Sequence, residues 1–96
     1  MKKDIWVVSC VYTAEYGALA LDYQTVYLDE TAAVASVMAR ICETYLKVGR
    51  INITDHEFEE IKAELKNSGE HRHDFHDGNN FLWTFTRMRL EITEDT

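Results

Sequence analysis

The chain has 96 residues, of which 46% are hydrophobic and 11% aromatic, so residues 1–96 are expected to form a single domain around one core rather than a disordered segment. Its formal net charge is −7. An acidic surface of this kind repels nucleic acid and anionic lipid, which argues against direct binding to either. No apolar run reaches the roughly twenty residues of a membrane span, so no membrane association is expected.

The two cysteines predict a reducing compartment. Cys10 and Cys42 are far apart in sequence and form no CxxC motif, so free thiols in a cytoplasmic protein are the expected state. Lys2 and Lys3 followed by apolar residues resemble the start of a signal peptide. The apolar run Ile5–Val8 is too short for one, and this stretch is therefore predicted to be a strand.

Two strands are predicted in the first third of the chain. Residues Ile5–Tyr12 are apolar on both faces, which is typical of a central strand that is covered on both sides. A turn is expected at Ala14–Gly17, and a second strand at Leu19–Leu28. In a regular second strand, one face would carry Leu19, Leu21, Tyr23 and Tyr27.

The middle of the chain predicts a first helix that begins at a capping residue, Asp29. Its apolar residues recur with helical spacing and form one stripe, made of Val37, Met38, Ile41, Tyr45 and Val48. Gly49 follows the stripe and is predicted to take the left-handed conformation that ends many helices.

A second helix is predicted to begin at Thr54. Thr54 and Glu57 match a capping box, and Ile53 and Phe58 occupy the two positions of a hydrophobic staple. Gly69 is expected to end this helix.

The last third of the chain predicts a β-hairpin. Residues Glu70–His76 and Phe81–Ile92 read as strands, and Asp77-Gly78 between them is a hairpin signal. The element order is then ββααββ. We therefore predict an α+β fold in which two helices lie on an antiparallel sheet of about four strands.

The stretch HRHDFHDG, residues 71–78, holds three of the four histidines. Alternation along a strand places His71 and His73 on one face and His76 on the other, so the three cannot meet at one ion. An even-length turn would set His71 and His73 beside Thr84 and Thr86. The prediction is a polar strand without a native metal, and a small metal-binding domain that uses His71 and His73 is the alternative.

The same even-length turn would place Arg72 beside Trp83 or Phe85. A cation–π contact is the role expected for Arg72 in that position. The sequence contains no Walker loop, GxSxG, HExxH or post-strand GxGxxG motif. Neither enzymatic activity nor a cofactor is therefore expected.

The sheet carries more apolar side chains than two helices are expected to cover. We predict that an aromatic group is left on an uncovered face and binds another protein, a set made of Tyr23, Tyr27, Phe81, Trp83 and Phe85. A second copy, giving a homodimer, or a different target protein would cover it. The alternative is that bulges and twist bring these aromatics into a single core.

The second helix carries an acidic face that includes Glu59 and Glu60. These carboxylates are candidates for binding a basic partner, with a solvated helix face as the simpler interpretation. An acidic DNA mimic is a further alternative. The dispersal of the acids among ten Lys and Arg weakens it.

Two stretches resemble small α/β accessory proteins of phages and mobile elements. They are TVYLDETAAVASVMARICETY, a strand that passes through an acidic cap into a helix, and the late aromatic strand FLWTFTRMRLEI. Anti-defence inhibitors, including anti-CRISPR proteins, are often short acidic chains of this kind. The resemblance implies a non-catalytic protein-binding module, such as an inhibitor that occludes a host defence protein.

Overall fold

The computed structural model describes residues 2–13, 19–76 and 78–91. Six elements follow one another along the chain: β1 (Lys2–Thr13), β2 (Leu19–Tyr27), α1 (Glu30–Gly49), α2 (Asp55–Ser68), β3 (Glu70–Asp74) and β4 (Asn80–Glu91). The predicted order ββααββ and the α+β class are confirmed. The turn predicted at 14–17, Asp77 of the hairpin signal, and Ile92 lie outside the described residues.

The four strands form one antiparallel sheet in the order β2-β1-β4-β3. Both helices pack against the same side of this sheet, which we call the helix-covered face. The opposite side is called the open face, because no described element lies on it. The first strand was expected to be covered on both sides. It is central, and among the described residues the two helices cover one of its sides, whereas the cover of the other side stays a prediction.

The core lies between the two helices and the helix-covered face. The helices contribute Val37, Met38, Ile41, Tyr45, Ile61 and Leu65, and the sheet and its last loop contribute Val8, Cys10, Phe75, Trp83 and Phe85. Most of the core residues that α1 contributes belong to the apolar stripe predicted for this helix. Burial of this stripe, at roughly 25 cal/mol per Å² of apolar surface, is what holds α1 on the sheet.

The predicted caps of both helices are present. The side chain of Asp29 accepts a hydrogen bond from the Ala32 amide at 2.9 Å. The Thr54 hydroxyl accepts one from the Glu57 amide at 3.2 Å, and the Glu57 carboxylate accepts from the Thr54 amide at 3.3 Å, which completes a capping box. Gly69 ends α2 with a φ of 83°.

The end of α1 differs from the prediction by one residue. Gly49 is still helical, and Arg50 takes the left-handed conformation with a φ of 53°. Its amide donates to the Leu46 carbonyl at 3.1 Å, which closes the last turn. Gly49 is therefore not the left-handed residue, and its lack of a side chain meets a packing need instead.

A β-bulge in β2 overturns the predicted facing of that strand. The register shifts between Cys10 and Val11, so Cys10 pairs with Tyr23 while Val11 pairs with Leu21. Side-chain alternation breaks at the bulge, as it does wherever two residues on one strand oppose one on its partner. Tyr23 and Tyr27 consequently face the helices, and Leu19 and Leu21 face the other way.

The hairpin between β3 and β4 also departs from the prediction. Asp74 pairs with Asn80, so five residues connect the strands rather than an even number. His71 therefore lies opposite Trp83 and His73 opposite Phe81, not beside Thr84 and Thr86. Arg72 pairs with Leu82 on the open face, and the expected cation–π contact with Trp83 or Phe85 was wrong.

The molecule is flat. Its extents are 55 × 34 × 19 Å and its Cα radius of gyration is 15.2 Å, whereas a compact domain of this length has about 12 Å. The smallest extent fits one layer of sheet and one layer of helix. Within the described residues, neither helix is both long and apolar enough to cross a bilayer.

Candidate protein-binding surface

The open face presents three rows of side chains that run across the strands. On β2, β1 and β4, the leucine row is Leu21, Val11 and Leu82, the polar row is Gln24, Ser9 and Thr84, and the valine row is Val26, Val7 and Thr86. On the edge strand β3, Arg72 continues the leucine row and Glu70 continues the polar row. Alternation places every second residue of β1 and β4 here, so the face follows directly from the strand register. The polar row is flanked by the other two.

Large apolar side chains on this face are exposed. Leu19 is 77% exposed, Leu21 61% and Val26 54%, all on β2, while Met88 is 47% exposed and Leu90 43% on β4. Ile5 belongs to the same face by register but is only 9% exposed. An exposed apolar surface of this extent on a small domain is characteristic of a binding site.

The charged residues that the described strands place on this face lie at its margins and are balanced in sign. Lys3 is at one end, and Glu70, Arg72 and Asp74 lie on the β3 edge. The Arg72 Nε lies 3.2 Å from a carboxylate oxygen of Asp74. Within the described residues, the open face is therefore close to neutral, although the chain carries −7.

The five aromatics predicted to form the uncovered face lie on the other side of the sheet. Trp83 is fully buried and Phe85 is 8% exposed. Phe81 stacks on Trp83 with ring centres 5.6 Å apart. Tyr23 and Tyr27 pack against the same core. The assignment of these residues to an exposed patch was wrong, and the alternative of a single core describes them correctly.

Tyr23 and Tyr27 reach the core by contacts with α1. The guanidinium of Arg40 lies 4.5 Å from the ring centre of Tyr23, a cation–π contact. The Tyr27 hydroxyl donates to the Ser36 hydroxyl at 2.6 Å. Burial raises the pKa of Tyr23, and among the described residues its buried hydroxyl has no hydrogen-bond partner. These contacts fix the edge strand β2 to α1.

The acidic candidates on α2 lie at the surface and are paired along the helix. A Glu59 carboxylate oxygen lies 3.3 Å from the Lys62 ammonium, and Glu60 lies 2.6 Å from a ring nitrogen of His56. Pairs of this spacing on a solvated helix contribute only a few tenths of a kcal/mol. Their proposed role in binding a basic partner stays a prediction.

A hydrogen-bond chain connects α1, β3 and α2, running from the core at Tyr45 to the surface at Glu64. His71 is 8% exposed. Its Nδ1 lies 3.1 Å from a Glu64 carboxylate oxygen, and its Nε2 lies 2.8 Å from the Tyr45 hydroxyl. Because a carboxylate can only accept, Nδ1 donates to Glu64, and in the neutral ring Nε2 is then the acceptor for the Tyr45 hydroxyl. Burial, followed by the Glu64 charge, raises the pKa of Tyr45 to about 12.

This arrangement uses both ring nitrogens of His71, so the ring is not free to bind a metal. His73 lies on the same face, with its ring centre 4.5 Å from that of Tyr45. No group of three or more His, Cys, Asp or Glu side chains within residues 2–13, 19–76 and 78–91 is arranged to hold an ion. The alternative of a metal-binding domain receives no support from this geometry.

The two thiols are not activated. Cys10 is buried in the core and Cys42 is partly buried on α1. Burial raises the pKa of Cys10 to about 12 and raises that of Cys42 as well. A thiol with a raised pKa is a poor nucleophile at neutral pH.

A groove of about 320 Å³ lies between the two helices. Apolar residues such as Val34 and Phe58 line it together with Lys62 and Lys66. Lys62 is paired with Glu59, and the Lys66 ammonium lies 3.6 Å from Glu30. The cations that line the groove are partly neutralised by these carboxylates, so the groove is a weaker candidate than the open face.

Comparison with protein families, with curated proteins and with solved structures found no match. The resemblance to phage and mobile-element accessory proteins therefore stays a prediction. The candidate surface stands on the geometry of the sheet alone.

Proposed function

We propose that this chain is a non-enzymatic protein-binding module whose contact surface is the open face. One observation carries the proposal, namely that both helices pack on one side of the sheet while the other side exposes leucine, valine and methionine side chains. In a stable domain, each apolar face of a sheet packs against another layer of structure, and the apolar side chains of the open face lack such a layer among the described residues. A second protein surface supplies it.

The chemistry of the face favours protein over other partners. Nucleic-acid binding requires lysine and arginine against phosphate, and the cations that the described strands place on the open face are Lys3 and Arg72, of which Arg72 is paired with Asp74. Anionic lipid would be repelled by a chain of charge −7. An apolar, nearly neutral surface is matched by another of the same kind.

The buried polar groups support a structural rather than a catalytic role. In the chain from Glu64 through His71 to Tyr45, each ring nitrogen of His71 has a partner. Glu64 lies at the surface with its side chain 51% exposed, whereas His71 is 8% and Tyr45 only 5% exposed. A substrate would have to displace core side chains to reach it. Cys10 and Cys42 are free thiols, which fits a cytoplasmic location, and this location is part of the proposal.

A photo-crosslinking experiment tests the proposal. A photoreactive phenylalanine analogue is placed at Leu21, which is 61% exposed on the open face, or at Leu46, which is 53% exposed on α1. The two positions are matched in residue type and exposure. In cells that express the protein, we expect a discrete protein adduct from position 21 and none from position 46. No adduct from position 21, or equal adducts from both, would overturn the proposal.

A further inference from the structure

The open face has an apolar row on each side of a central polar row, an arrangement that fits a two-fold interface. The polar row is flanked on one side by the leucine row and on the other by the valine row, each two residues along the strands. A two-fold axis along the polar row would place one copy's leucine row over the other copy's valine row. The polar row would then meet itself. An isologous contact of this kind needs one surface to be self-complementary, and the leucine and valine rows on β2, β1 and β4 meet this requirement.

Two hydroxyl groups of the polar row already form a hydrogen bond within the chain. The hydroxyls of Ser9 and Thr84 hydrogen-bond to each other across β1 and β4. Burial of a hydroxyl is costly when it loses its partner, and here each partner is supplied by the same chain. The centre of the row can therefore enter an interface with one hydrogen bond already made within the chain. Gln24 at the β2 end and Glu70 at the β3 end of the row lie on the two edge strands, where water can reach them.

The area of the face matches what a stable dimer needs. Its strands have 12, 9, 5 and 12 residues. At about 3.3 Å per residue and about 4.8 Å between strands, they span roughly 600 Å² in projection. Stable interfaces bury about 800 Å² of accessible surface per partner, and the accessible surface of a corrugated face exceeds its projection.

Charge also favours this face for self-association. Two copies of a chain with charge −7 repel each other at most orientations. Lys3 and Arg72 balance Glu70 and Asp74 on the open face, so contact there brings together the least repulsive surfaces of the two copies.

We infer that the partner of the open face is a second copy of this chain, and that two sheets pack face to face in a two-fold homodimer. The inference rests on the proposed function and adds the identity of the partner. The four layers of the dimer run helix, sheet, sheet, helix, and the sheets enclose a second core of leucine and valine between them.

Sedimentation velocity over a range of concentrations tests the inference with purified protein. We expect a species of twice 11.2 kDa that weakens at least tenfold in Leu21→Lys and in Leu82→Lys. Leu46→Lys, a matched change on α1, should leave the mass unchanged. Leu82 lies on β4 and not on the edge strand, so its variant separates face packing from edge-to-edge pairing. Circular dichroism checks that each variant is folded, and Val26→Lys replaces any variant that is not.

The other sedimentation results distinguish a monomer from a dimer that forms through a different surface. A monomer at all concentrations overturns the inference. If position 21 then crosslinks to a different protein, the proposed function stands without it. A dimer that survives Leu82→Lys, or that is lost in Leu46→Lys, also overturns the inference, because the contact would then lie at the sheet edge or on the helices.

Discussion

Gly49 lies against the ring of Phe75, so closely that a Cβ at this position would be 2.7 Å from the ring carbon Cε1. Phe75 is 4% exposed and follows β3, whereas Gly49 is the last residue of α1. The contact therefore joins the end of the first helix to the loop of the last hairpin. The sequence pattern assigns Gly49 to a helix cap, but in the structure glycine is needed at this position because the ring of Phe75 occupies the space of a side chain.

Gly49→Ala tests this packing. In open space the change would stabilise the helix by about 1 kcal/mol. Because the methyl group would overlap Phe75, we expect instead a net loss of about 1 to 2 kcal/mol in the free energy of unfolding, measured by urea denaturation. In a Phe75→Leu background the loss should shrink or reverse. A stabilised Gly49→Ala protein would contradict the contact.

Thr54→Ala tests the capping box of α2. The change removes the hydroxyl that accepts from the Glu57 amide, and we expect a loss of about 1 kcal/mol in the free energy of unfolding. Thr54→Ser keeps the acceptor and should lose much less. Equal denaturation midpoints for wild type and Thr54→Ala would mean that the cap does not contribute to stability.

The caps and helix stripes were predictable because their signals are local. Asp29, Thr54 and Glu57 act within one turn of their own position, and the spacing of Val37, Ile41 and Tyr45 follows from helix geometry alone. The element order followed from the same local patterns together with strand alternation. None of these features depends on a distant residue.

The sequence predicted an exposed apolar face of the sheet, but it assigned the wrong residues to that face. Its residues depend on the bulge near Asp22 in β2 and on an odd hairpin loop before Asn80, each of which changes the facing by one residue. No short-range signal specifies a bulge. The size of Trp83 is one sequence feature that could have indicated the correct facing of β4. A side chain this large buries the most apolar surface in the core between sheet and helices. Leu82, the next residue along the strand, then lies on the opposite face of the sheet.

His73 makes stability depend on pH. Burial and then the neighbouring His71 lower the pKa of His73 below its usual 6.5, while Asp74 acts in the opposite direction. The unfolded chain therefore binds a proton more readily than the folded chain. Stability from this group is present above about pH 6.5 and is lost as the pH falls through the lowered pKa.

Denaturation between about pH 7.5 and about pH 5 measures this effect. We expect the free energy of unfolding to decrease over this range, and less steeply in His73→Gln. His56→Gln, a change at an exposed histidine on α2, is the matched control. An unchanged slope in His73→Gln would contradict the assignment.

Elemental analysis tests the histidine geometry. Because His71 uses both ring nitrogens within the chain, we expect protein purified without added metal to hold far less than one zinc per chain. A ratio near one that is lost in His73→Ala would mean that the bonds from His71 to Tyr45 and Glu64 do not hold in solution.

An isotope-filtered NOE measurement shows whether the open face of one copy contacts the open face of another. Protein with ¹³C-labelled methyl groups is mixed with unlabelled protein, and only contacts between copies are recorded. We expect intermolecular NOEs to the methyl groups of Val7, Val11, Leu21 and Leu82. Intermolecular NOEs confined to α1 methyl groups such as Leu46, or none at concentrations well above those of the sedimentation series, would contradict it.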